Sequence, residues 1–133
     1  MKIKKLPGDY IAGLVDGEGC FYLTFRSETR RERANCPTYF RWIAYFAMNL
    51  RKDDIEILNQ VKETLECGNV YVINKRGEEM AYYGIQHLDH LFTKIVPFFA
   101  QFPLRAKKKY DFELWKKALV ILFHKKCGFL KVN

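Results

Sequence analysis

A chain of 133 residues with 23 Lys and Arg against 15 Asp and Glu carries a formal charge of +8, and its length fits a single domain, residues 1–133. Its composition, 49% hydrophobic and 16% aromatic, supplies a core and excludes a disordered basic tail. Apolar runs fall far short of the ~20 residues of a membrane span, the charged opening has no signal core, and Cys20, Cys36, Cys67 and Cys127 lack CxxC spacing, so an intracellular protein with no membrane partner, zinc site or disulfide framework is expected.

Asp9 is placed to cap a helix over residues 10–16 that Gly17 and Gly19 stop. Residues 20–28 then alternate, with Phe21, Leu23 and Phe25 on one face and Tyr22, Thr24, Arg26 and Glu28 on the other, the pattern of a half-buried strand. A charged loop or hairpin tip over 27–37 leads into a long second strand at 38–50. Phe40, Trp42, Ala44, Phe46 and Met48 share one parity of it, and Tyr39, Arg41, Ile43, Tyr45 and Asn49 share the other. Trp42, Phe46 and Met48 are expected in the core.

Asp53 and Glu56 have the spacing of a capping box and open a helix through Ile55, Leu58, Val61 and Leu65 that Gly68 ends. Residues 69–75 and 79–86 flank Arg76-Gly77-Glu78 as a third and a fourth strand. Tyr71, Ile73 and Lys75 share one face of the third; the alternation of the fourth chooses no face. Helices over 89–96, closed near Pro97, and over 104–124 complete an α+β chain.

The charge is segregated along this order. Residues 26–52 hold seven basic side chains against two acidic ones, a net of +5, and residues 105–126 hold eight against two, a net of +6. The intervening stretch 53–104 has a net of −4. Such blocks suit a polyanion, because basic side chains that neutralise phosphates release condensed counterions. They also suit a solvated surface, and charge does not choose DNA over RNA.

The stretch with chemistry in it is Ile11-Ala12-Gly13-Leu14-Val15-Asp16-Gly17-Glu18-Gly19. Ala12, Gly13 and Gly17 remove bulk from a helix, so a second helix can approach backbone to backbone. Glu18, flanked by glycines, is a hard oxygen ligand suited to Mg²⁺, and a neighbouring carbonyl can add another. Read from the residues alone, the same stretch is first a helix end followed by a surface acid. His87, His90 and His124 have no metal-ligand spacing.

Residues 11–19 resemble the nine-residue signature of the LAGLIDADG homing endonucleases, and the nearest likeness is to their single-motif, homodimeric branch. Cys67-Gly68-Asn69-Val70-Tyr71 is similar to the family's glycine-led third strand. Pro97-Phe98-Phe99 and the run from Pro103 to Leu114 resemble its C-terminal part.

The resemblance implies an αββαββα saddle, a four-stranded antiparallel DNA-binding sheet with helices on its other face. It implies a site-specific double-strand DNA endonuclease of the intron-homing type that uses Mg²⁺, or another divalent cation such as Mn²⁺, as a homodimer on a pseudo-palindromic target. Carried over by position, Glu18 is the catalytic acid and metal ligand, and the Gly17 carbonyl is a second ligand. Asp16 holds the helix end, and Ala12, Gly13 and Asp16 fall at the dimer interface. Lys107, within the Arg105–Lys109 run, is the expected active-site cation.

On this picture, DNA contacts are expected from Tyr22, Thr24, Arg26, Arg30, Tyr39, Arg41, Tyr45, Tyr71, Ile73 and Lys75, since Arg pairs with guanine while Tyr and Thr reach phosphates or thymine methyl groups. Relatives commonly carry a polar residue at the end of the second strand, where Leu50 falls between Asn49 and Arg51. The alternative is a non-cleaving nucleic-acid-binding protein, either an intron RNA splicing maturase or a DNA-binding regulator.

Overall fold

The computed structural model of the chain describes residues 2–29 and 31–126. Helix α1 (Gly8–Glu18) leads into strands β1 (Gly19–Thr29) and β2 (Thr38–Arg51), and a 3₁₀ turn (Lys52–Asp54) precedes α2 (Ile55–Leu65). Strands β3 (Asn69–Lys75) and β4 (Glu78–Ile85) follow. A near-continuous helical stretch comprises α3 (Leu88–His90), a π segment (Leu91–Ile95) and α4 (Val96–Gln101), and α5 (Lys108–Lys126) ends the described chain. All pairings are antiparallel in the order β1-β2-β4-β3. The fold is α+β, with helices on one face of the sheet.

The core lies between that face and the helices. Ile11, Ala12 and Val15 enter it from α1, and Leu58, Val61 and Leu65 enter from α2 at helical spacing. Phe112, Trp115 and Leu119 come from α5. They meet the sheet parity of Ala44, Phe46, Met48, Ala81, Tyr83 and Ile85. Phe21 is the hub, its ring 5.0 Å from Phe46, 4.9 Å from Trp115 and 5.2 Å from Phe112. Between α2 and β3, Gly68 adopts φ +91°, and a Cβ there would stand 2.7 Å from the Tyr83 hydroxyl. That hydroxyl donates to the Cys67 carbonyl at 2.7 Å. Burial pushes both the Tyr83 phenol and the Cys67 thiol up.

Several local expectations are corrected. Helix α1 starts at Gly8 with Pro7 as its N-cap, so Asp9 lies in the first turn instead of capping it. It also runs through Gly17 to Glu18, because the Gly19 N–H still bonds the Val15 carbonyl. The Asp53–Glu56 box does not close: no side chain caps α2, and the 3₁₀ turn makes the entry. Pro97 does not end a helix. It sits in the first turn of α4, where the π segment just before it returns the Val96 N–H to Leu91, five residues back. That wider turn moves the carbonyl that a prolyl ring would otherwise strike. The last helix begins at Lys108 and not at 104, and in the turn before it Arg105 and Ala106 give their N–H groups to Asp16.

Trp42 is also displaced from expectation. Phe46 and Met48 are fully buried, but Trp42 is 53% exposed, as are Phe25 (56%) and Phe40 (64%). The three rings instead group together at the far end of the β1–β2 hairpin. No helix among the described residues is long and apolar enough to cross a membrane.

Candidate nucleic-acid interface and motif site

Three segments meet where α1 hands over to β1. The Asp16 carboxylate accepts the Arg105 N–H at 2.9 Å on Oδ2 and the Ala106 N–H at 3.2 Å on Oδ1. Lys108 Nζ donates to the Gly19 carbonyl. The turn before α5 is thereby tied to the end of the motif, and Glu18 stands exposed at the junction. The cation brought here is Lys108, one residue after the expected Lys107, which points out as an exposed side chain. Asp16 sets this phase by fixing residues 105 and 106, so that the first residue of α5 faces the motif.

The open side of α1 is made by Gly13 and Gly17, one turn apart, where an added Cβ would meet nothing within 4 Å. Tyr10 flanks them at 49% exposure. Ala12, expected on that face, is instead 4% exposed and packed in the chain's own core. Asp16 is half-buried and held within the chain by the two N–H groups.

Among the described residues, no group of three or more His, Cys, Asp or Glu side chains converges to hold a metal ion. The donor chemistry at Glu18 nonetheless suits Mg²⁺ or Mn²⁺. It offers one free carboxylate and a backbone carbonyl, both hard oxygens, and leaves coordination positions for water and phosphate.

The sheet face away from the helices runs outward from this junction. The strand registers place Tyr22, Thr24, Arg26 and Glu28 of β1 opposite Tyr45, Ile43, Arg41 and Tyr39 of β2. Asn49 pairs with Tyr82, which pairs with Tyr71, and Ile73 and Lys75 follow Tyr71 on the same face of β3. Tyr22 stacks on Tyr45 at 4.8 Å, and Tyr71 lies 4.9 Å from Tyr82. Arg26 donates to the Tyr45 hydroxyl at 2.9 Å. Arg41 is held 2.7 Å from Glu28, and Arg33 donates to the Tyr39 hydroxyl at 2.8 Å. Arg30 lies outside the described residues.

Two polar atoms on this face, Thr24 Oγ1 and Asn49 Oδ1, have no hydrogen-bond partner within the chain although each is buried at the atom. A buried acceptor left so costs about 1–3 kcal/mol, and an incoming donor would recover it. Leu50 has the other parity and packs against the core, so the polar side chains at the end of β2 are those of Asn49 and Arg51.

Tyr82 is the open-face residue that the alternation did not single out. Residues 82 and 83 are both tyrosines, so hydropathy alone leaves the β4 face undecided; the pairing with β2 settles it. Burial, then a hydrogen bond to Tyr22, pushes the Tyr82 phenol up to about 12. Burial foremost raises Tyr71 as well. Both rings are therefore neutral hydrogen-bonding groups at any ordinary pH.

A protein-family model described as LAGLIDADG endonuclease matches residues 11–119. The probable intron-encoded endonuclease Cox1-I1b of Schizosaccharomyces pombe is 31% identical over 85% of this chain and 27% of its own length. The probable intron-encoded DNA endonuclease 1 of Mycosarcoma maydis is 30% identical over 78% of this chain and 34% of its own. The chain thus spans about a third or less of the curated relatives it matches. Among solved structures, the homing endonuclease I-TnaI superposes with a TM-score of 0.73 at 28% identity, covering 96% of this chain and 84% of that one. I-SmaMI, bound to an uncleaved DNA target in the presence of calcium ions, superposes with a TM-score of 0.74 at 26% identity, covering 92% and 39%.

Proposed function

The chain belongs to the LAGLIDADG endonuclease family, and from that premise we propose that it is a site-specific double-strand DNA endonuclease of the intron-homing type. It acts as a single-motif homodimer on a pseudo-palindromic duplex with Mg²⁺, or Mn²⁺ in its place. The observation that carries this reading is the junction itself. Exposed Glu18 precedes Gly19, whose carbonyl accepts from the Lys108 ammonium, at the head of a sheet face lined with Tyr and Arg.

The sheet face lies against the major groove, where Arg26, Arg41, Lys75 and the hydroxyls of Tyr22, Thr24, Tyr39, Tyr45 and Tyr71 meet base edges and phosphates. Ile73 offers an apolar contact to a thymine methyl group. Glu18 and the Gly17 carbonyl would hold the divalent ion. When bound, that ion lowers the pKa of a coordinated water and stabilises the leaving oxygen. Asn49, with its free Oδ1, orients the attacking water by accepting one of its hydrogens. Lys108, in place of Lys107, adds fixed positive charge where the phosphate becomes more negative.

Cutting two strands needs two such junctions. The Gly13–Gly17 face lets a second copy approach backbone to backbone, which brings two Glu18 side chains to one two-fold axis and doubles the charge from +8 to +16. One motif per chain is then sufficient.

The test compares Glu18→Gln with the parent on the DNA allele lacking the intron. The variant is expected to bind this duplex within about threefold of the parent and to leave it uncut. Equal cutting by the variant overturns the reading. Structured intron RNA added as competitor separates the alternative: displacement of the duplex by RNA, with no cutting by the parent, assigns the chain to RNA binding instead.

A further inference from the structure

The two tyrosine pairs of the open face lie in different rows. Tyr22–Tyr45 and Tyr82–Tyr71 are separated along the strands by two same-face steps, roughly 13 Å. Between them the registers align Cys20, Ala47 and Gly84 across β1, β2 and β4, ending at Asn69 on β3. Three short side chains in a row leave a trough.

Tyr82 lies down in it. A Cβ on Gly84 would stand 2.4 Å from Tyr82 Cε1 and 3.1 Å from its hydroxyl, so the ring covers the place where any other side chain would be. Laid across the trough, the Tyr82 hydroxyl comes near those of Tyr22 and Tyr71, which act on its ionisation. Tyr22 is stacked on Tyr45, whose hydroxyl accepts from Arg26. One phenol therefore joins rings on all four strands.

We propose that Tyr82 is a positioning residue for base recognition, locking Tyr22, Tyr45 and Tyr71 into one uncharged reading unit. The proposal rests on the proposed function, in which this face meets duplex DNA. A lone exposed tyrosine can swing about two side-chain torsions and adapt to several base edges. Tyrosines stacked in pairs and gathered around one hydroxyl do not move singly, so their donors and acceptors are presented as a fixed pattern. The length of the unit corresponds to about three or four base pairs at 3.4 Å each. Those base pairs are chosen jointly, by neutral hydroxyls and ring faces, while Arg26 and Arg41 read the adjoining outer positions.

Selection from a pool of randomised duplexes at one fixed salt concentration, followed by sequencing, tests this and lets the protein choose its own target. The full chain is compared with Tyr82→Phe, which keeps the ring in the trough, and with Gly84→Ala, which keeps every tyrosine but displaces the ring. Both variants are expected to lose about five- to tenfold preference within one contiguous block of each half-site. The remaining positions and the salt dependence of Tyr82→Phe stay as in the parent. Inside the block, paired base changes should be non-additive for the parent and additive for Tyr82→Phe.

Unchanged profiles in both variants overturn the proposal, and so does a loss spread evenly over the whole motif, which marks a merely structural role. A parent chain that enriches no sequence instead overturns the site-specific reading beneath it, and this proposal with it.

Discussion

Phe21 and Phe25 lie on the same face of the same strand, and the molecule treats them oppositely. Phe21 is enclosed by Phe46, Phe99, Phe112 and Trp115, whereas Phe25 is 56% exposed and touches only the hairpin's own rings, Phe40 and Trp42, among the ring contacts of the described residues. The difference lies in what covers the strand. Helices α1, α4 and α5 roof the root of the β1–β2 hairpin near the motif, and among the described residues they do not extend over its tip. Alternation assigns a side chain to a face, but burial needs a second layer.

The contrast can be broken most sharply by truncation. Phe46→Ala is expected to lower stability by about 3–5 kcal/mol, and Trp42→Ala, on the same parity of β2, by about 1 kcal/mol or less. Urea midpoints measure both; comparable losses would show that the tip is roofed after all. Gly68→Ala probes the root from another side, where the backbone is left-handed and a Cβ collides with Tyr83. A cost of about 1–3 kcal/mol is expected there.

A smaller effect tests how the root is fastened to the chemistry. Asp16→Ala leaves the Arg105 and Ala106 N–H groups without their acceptor and should cost about 1–2 kcal/mol. Cutting is expected to fall further than DNA binding, because Lys108 loses its fixed approach while the sheet is untouched. Cutting at the parent rate would separate Asp16 from the site.

A further effect is alkaline. An unfolded tyrosine ionises near 10, whereas Tyr82 in the folded chain waits until about 12. Its raised value means that the stability it contributes is fully present below pH ~10 and is lost as pH rises towards ~12. Tyr82→Phe should flatten that part of the decline, measured as the change in urea midpoint across the window. Tyr83, also raised by burial, remains in both proteins and accounts for the rest.

Much of the architecture was legible from the chain alone. β3 has the bounds expected of it, and β1, β2 and β4 differ from expectation by single residues at their ends. Strong period-two alternation and glycine punctuation report the local backbone directly. Helix ends were less legible, because each is decided by a distant acceptor or neighbour. Asp16, ninety residues away in sequence, fastens the turn that precedes α5, and a π turn carries the helix past Pro97.

The motif site divides in the same way. The nine residues from 11 to 19 point to an exposed acid at a helix end. They do not say which member of a basic run comes to it, since Lys107 and Lys108 are alike in every local respect. Tyr82 was missed because Tyr83 sits beside it, and only the hydrogen-bonded register with β2 tells the two faces apart.

By itself the sequence determined the order of elements, the family and the polar parity of three strands, because these depend on spacing and on side chains within reach along the chain. The tertiary structure alone decided that Ala12 is inside while Gly13 and Gly17 are outside, that Lys108 is the lysine at the motif, and that four tyrosines form one cluster. Each of those depends on groups far apart in sequence brought within a hydrogen bond or a ring contact. No local pattern records such a meeting.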